Sequence, residues 1–166
     1  MTQSSVRPGR LTRQARMMNL VNVPMRLLLQ LPFATPLSRQ LMLLYVRGRK
    51  TNRIYRQPVS YVRDGETLLT PGGGRWKLNL HEGECIRIRL AGRDRLARPD
   101  LVTDVNEVEV LLRKMMQVNP RITSFAPVVR PDGQIDRARL ENAVRYGFII
   151  VRWHFDCSPR SEPHSS

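Results

Sequence analysis

Hydrophobic positions recur with helical spacing near the start of the chain and again after residue 104, and with strand-like spacing between them. Met18, Val21, Met25, Leu28 and Leu29 fall on one helix face, away from Arg13 and Arg16. Pro24 suits the first turn of a second short helix, and Pro32 and Pro36 stop it. Leu41 to Val46 is a short apolar run like a buried strand, closed by the basic loop Arg47 to Arg53. A second strand is expected from about Tyr55 to Arg63, with Asp64-Gly65 turning into Glu66 to Thr70. Pro71-Gly72-Gly73-Gly74 reads as an open loop or tight turn, and Arg75 to His81 as one helical turn. Cys85 to Leu90 alternates with period two, and Ala91-Gly92 turns the chain into a partner strand around Arg95 to Leu101.

The best helix spans 104 to 118. Asp104 is its expected N-cap and Glu107 sits three residues on, while Val108, Leu111, Leu112 and Met115 share a face. Asn119-Pro120 ends it. An irregular stretch leads to a second helix at about 136 to 146, and the last strand is Phe148 to Phe155. About six strands joined mostly by hairpins, with helices arriving late, predict an α+β protein. Its expected form is a small antiparallel β-barrel with flanking helices and an N-terminal amphipathic helical segment. The expected division is a basic extension at 1–38, a barrel domain at 39–156 and a polar tail at 157–166.

Charge changes this picture through its placement. The net charge is +14, yet residues 1–63 hold 12 of the 28 cations and no acid; residues 64–166 are close to neutral. An acid-free third of the chain calls for an anionic partner. The amphipathic segment at 11–31 would either pack on the core or lie on an anionic membrane surface. Nucleic acid is disfavoured, because aromatic residues make up only 6% of the chain and Phe33 is the one aromatic among the first 44 residues. No apolar run reaches the length of a membrane span, and no signal-type apolar region stands out, so the expected location is cytoplasmic. Cys85 and Cys157 are too few for a disulfide framework and lack metal-ligand spacing.

Catalytic templates fail: His81, His154 and His164 make no metal pattern, and no nucleophile elbow or P-loop is present. Reactivity, if any, would come from a cofactor. Two loops could hold one. Arg47-Gly48-Arg49-Lys50-Thr51-Asn52-Arg53 offers amides, guanidiniums, an ammonium and a hydroxyl to a phosphate, or is a solvated basic hairpin. Gly72-Gly73-Gly74 would let a flat ring approach the backbone, or is a flexible loop with Trp76 plugging the core.

In order and about 20 residues apart, these loops resemble the deazaflavin-dependent nitroreductase family of small split barrels. The residues that carry the resemblance are Gly48-Arg49-Lys50-Thr51, Arg53, Pro58, Asp64-Gly65, Gly72-Gly73-Gly74 and Trp76-Lys77-Leu78-Asn79-Leu80. It covers roughly 40 to 118 plus the closing strand. Asn52, Ile54 and Tyr55 depart from the family's phosphate loop, and the insert from Pro120 to Gln134 is long.

The resemblance implies that Arg49, Lys50, Thr51 and Arg53, with Arg56 nearby, bind the phosphate of coenzyme F420. Gly72, Gly73 and Gly74 would lie against the deazaflavin, and Trp76 would wall the pocket. Asn79 is expected to fix its own turn. Hydride would pass to a small hydrophobic electrophile such as a quinone, enone or nitro compound. FMN is the alternative cofactor, being equally flat and anionic; a barrel that only binds cofactor or docks on membranes is the non-catalytic alternative. Ser60, Tyr61 and Tyr146 are candidates for the substrate side, with core packing as the competing role. Family barrels often pair, so a homodimer is a further expectation.

Overall fold

Period-two alternation becomes seven antiparallel strands in the computed structural model, which describes residues 40–72, 74–126 and 128–157. They are β1 (Leu41–Arg47), β2 (Ile54–Ser60), β3 (Val62–Asp64), β4 (Thr67–Gly72), β5 (Ile86–Leu90), β6 (Arg93–Val102) and β7 (Ile149–His154). Two helices, α1 (Val105–Val118) and α2 (Arg137–Arg145), complete the α+β architecture. The expected N-terminal amphipathic helices, and with them the membrane-facing segment, lie outside the described residues. No helix among the described residues is long and apolar enough to cross a membrane.

The spatial order is β2-β1-β5-β6-β7-β4-β3. β6 belongs to both halves: residues 93–97 pair with β5, and residues 98–102 pair with β7. The edge strands β2 and β3 are consecutive in sequence and meet at Tyr61, so the sheet must curl to bring its two edges together. The result is a curled half-barrel. One expected strand at 55–63 is thus two, and the count is seven rather than six, because the chain bends at Tyr61 instead of running straight. That bend places Tyr61, whose N–H donates to the Gln40 carbonyl at 3.1 Å, in the interior.

Two cores flank the sheet. The interior core holds Met42, Leu44, Val46, Leu68, Ile88, Leu90, Ala97, Val151 and Trp153. The outer core packs Leu69, Val102 and Ile150 against Val108, Leu112 and Met115 of α1 and Leu140 of α2. β4 and β7 lie between the two cores, so adjacent residues bury on opposite faces: Leu68 and Val151 reach the interior core, Leu69 and Ile150 the outer one. This also explains a correction: Pro71 and Gly72 are not loop but the end of β4, paired with Ile150 and Ile149. A Cβ on Gly72 would come within 2.5 Å of Ile149 Cγ1, so close packing accounts for this glycine.

The two helix signals after residue 104 hold. Asp104 caps α1 by accepting from the Glu107 amide at 2.9 Å, and Asp136 caps α2 by accepting from the Arg139 amide at 3.0 Å. The irregular insert contributes Ile122, Ala126, Val128 and Ile135 to the outer core. Cys85, just ahead of β5, is joined to Cys157 by a disulfide, a pairing not anticipated from two cysteines 72 residues apart. It ties the start of the expected polar tail to the barrel.

Candidate functional site

The basic loop closes the β1–β2 hairpin after the last pair, Arg47 with Ile54. Its backbone folds on itself: the Gly48 N–H donates to the Arg53 carbonyl at 2.8 Å and the Asn52 N–H to the Gly48 carbonyl at 2.9 Å. Asn52 takes a left-handed conformation (φ 55°), which asparagine tolerates better than most residues, and its side chain accepts from Arg47 Nη1 at 3.0 Å. Tyr55 lies over Gly48, and a Cβ there would sit 2.4 Å from Tyr55 Cε2. The Tyr55 hydroxyl and Thr51 Oγ1 share a hydrogen bond of 2.9 Å. The loop is therefore a structured hairpin connection whose basic side chains Arg49, Lys50 and Arg53 are exposed.

The second motif reaches this loop through Asn79. The expectation that Asn79 fixes its own turn is corrected: its Oδ1 accepts from the Arg49 amide at 3.3 Å, bridging the 3-10 turn Arg75–Asn79 to the basic loop. Between them lies an open groove of about 680 Å³. Arg47, Arg49 and Arg87 line it together with Tyr45, His81, Glu84 and Cys85. Arg87 stacks over Tyr45 with its guanidinium 3.9 Å from the ring centroid, which holds that cation at the groove. Sequence reading missed Tyr45, Arg87 and His81. The β1–β5 pairing brings Tyr45 and Arg87 together, and His81 joins them from the turn after Arg75–Asn79.

The expected site residues divide. Arg49 lines the groove, while Lys50, Thr51 and Arg53 are exposed on the same loop. Lys50 and Arg53 have no acidic partner among the described residues. Arg56 is exposed on β2, paired with Tyr45. Gly72 is buried in β4, and Gly73 lies outside the described residues. Trp76 packs against the interior core and lies over Gly74, where a Cβ would sit 2.6 Å from Trp76 Cδ1. Lys77 staples this region. Its ammonium donates to the Gly72 carbonyl at 2.8 Å and to the Gly147 carbonyl, and partial burial holds its pKa below the usual lysine value.

The three substrate-side candidates are not assembled. Ser60 is half-buried at the far end of β2, roughly 20 Å along the strand from the basic loop. Tyr61 is buried in the interior core; burial raises its pKa, opposed by the nearby Arg63 charge. Tyr146 is 81% exposed after α2, so a core role does not apply to it: Gly147 turns the chain there before the side chain can reach either core. No protein-family model and no curated protein matches this chain.

Proposed function

We propose that the groove beside the β1–β2 loop binds a flat, phosphorylated redox coenzyme, with the deazaflavin coenzyme F420 as first candidate. In this reading the protein is an oxidoreductase acting on a small hydrophobic electrophile such as a quinone, enone or nitro compound. The Arg49–Asn79 bond carries the reading, because it joins the two motif loops at the wall of a cationic groove. The donor set suits a phosphate: Arg49, Lys50 and Arg53 on a loop whose fold is already built, with Arg47 and Arg87 alongside. Thr51 would exchange its Tyr55 partner for a phosphate oxygen. The groove volume of about 680 Å³ falls among ordinary cofactor sites.

The coenzyme supplies the hydride, and the chain contributes binding, orientation and a favourable field for negative charge. FMN meets the same donors through the same chemistry, so the choice between them is experimental. Fluorescence titration of wild-type protein and of Arg49→Ala/Lys50→Ala with each coenzyme tests the site. Charged hydrogen bonds contribute about 1.5–3 kcal/mol each without full additivity, so the double variant should bind roughly 30- to 1,000-fold more weakly. Unchanged affinity in a folded variant would remove the site. Turnover of a quinone by the reduced coenzyme separates an enzyme from a barrel that only binds.

A further inference from the structure

A second cationic pocket lies at the opposite end of the sheet. β5 runs antiparallel to β1, so the Ala91-Gly92 turn between β5 and β6 sits far from the β1–β2 loop. Beside that turn, Arg63, Arg93 and Arg95 line a pocket of about 300 Å³ with Leu90 and Ala91.

Register makes these arginines unusual. Arg93 pairs with Leu90, Arg95 with Ile88, and Arg63 with Leu68. Directly opposed residues in an antiparallel ladder point to the same face. Leu68, Ile88 and Leu90 all belong to the interior core, so the three arginines hold interior-facing positions at the barrel mouth. All three are exposed there, at the rim of the interior face.

The neighbouring carboxylates are committed elsewhere. Asp94 pairs with Arg89 at 2.9 Å and Arg87 at 3.9 Å, and Asp64 pairs with Lys114. Arg95 has the Phe155 ring 5.6 Å away, but none of the three arginines has an acidic partner among the described residues. Three like charges around one small pocket repel each other until an anion sits between them.

We infer that this pocket binds a phosphate monoester bearing a small apolar group. Guanidiniums grip phosphate oxygens in bidentate pairs, and Leu90 and Ala91 supply an apolar wall. A volume of about 300 Å³ suits a phosphate with a compact substituent rather than a whole redox coenzyme. The site does not depend on the coenzyme reading, since it lies at the other end of the strands.

Side-chain arginine NMR on the full chain tests it, titrating inorganic phosphate and phenyl phosphate, with vesicles of phosphatidylcholine with and without phosphatidic acid as a parallel arm. The Nε–Hε signals of Arg63, Arg93 and Arg95 should shift, with phenyl phosphate binding the tighter. Arg49→Ala/Lys50→Ala should leave these shifts in place, which separates the pocket from the coenzyme groove. Arg93→Gln and Arg95→Gln should each weaken binding at least about tenfold. Both sites are exposed, and far-UV circular dichroism checks the fold. Phosphatidic acid-dependent vesicle binding lost in Arg93→Gln/Arg95→Gln would make the phosphate a lipid headgroup; shifts with the soluble esters alone would make it a free metabolite. Immobile signals in both arms, or a double variant that binds like wild type, would overturn the inference.

Discussion

Breaking the Cys85–Cys157 bridge should cost more stability than any single surface contact in this fold. The two cysteines are 72 residues apart, so the bond closes a loop spanning β5, β6, both helices and β7. Constraining an unfolded loop of that length is worth about 4 kcal/mol by chain entropy. That is a large share of the 5–15 kcal/mol by which domains are stable. For a chain of 166 residues it corresponds to a fall in Tm of roughly 10 °C. The assay is urea and thermal unfolding, followed by Trp76 and Trp153 fluorescence, with and without a phosphine reductant. Cys85→Ser, Cys157→Ser and the double variant should lose equal amounts, because each removes the same single bond. Two titratable thiols in native, unreduced protein, or coincident unfolding curves in both conditions, would refute the reasoning.

Gly48→Ala should destabilise by about 1–3 kcal/mol, because the new methyl displaces the Tyr55 ring and its bond to Thr51; denaturant unfolding should show recovery in the Tyr55→Ala background. Thr70→Val removes the buried acceptor, 3.0 Å away, of the Trp153 indole N–H and should cost about 1–3 kcal/mol, with a changed Trp153 emission as its local signature. Glu109 accepts from Arg113 and Arg137, which hold its pKa below the ordinary carboxylate value. Its contribution is therefore full above the unfolded-state pKa and disappears as pH falls through the lower folded value. Unfolding free energy measured from pH 6 to pH 3 should fall less steeply in Glu109→Gln than in wild type.

Short-range signals in the sequence carried most of the secondary structure. Asp104 and Asp136 cap helices because a carboxylate followed by helix formers satisfies amides within its own turn, a fact needing no tertiary contact. The Asp64-Gly65 and Ala91-Gly92 turns are legible for the same reason, each placing a glycine where φ is positive. Pro71-Gly72 misled because both residues favour turns in isolation, whereas pairing with β7 and burial between two cores hold them extended. The bend at Tyr61 escaped notice because nothing local marks it; the closing of the sheet's edges decides it.

For the sites, sequence alone located the basic loop, the glycine motif and the acid-free N-terminal third. Tertiary structure decided what each one meets. It sent the Asn79 side chain to Arg49, brought Arg87 over Tyr45, joined Cys85 to Cys157 and turned three scattered arginines toward one barrel mouth. Those relations depend on strand register and on the curl of the sheet. Both are set by burying apolar side chains from distant segments together, which no local pattern encodes.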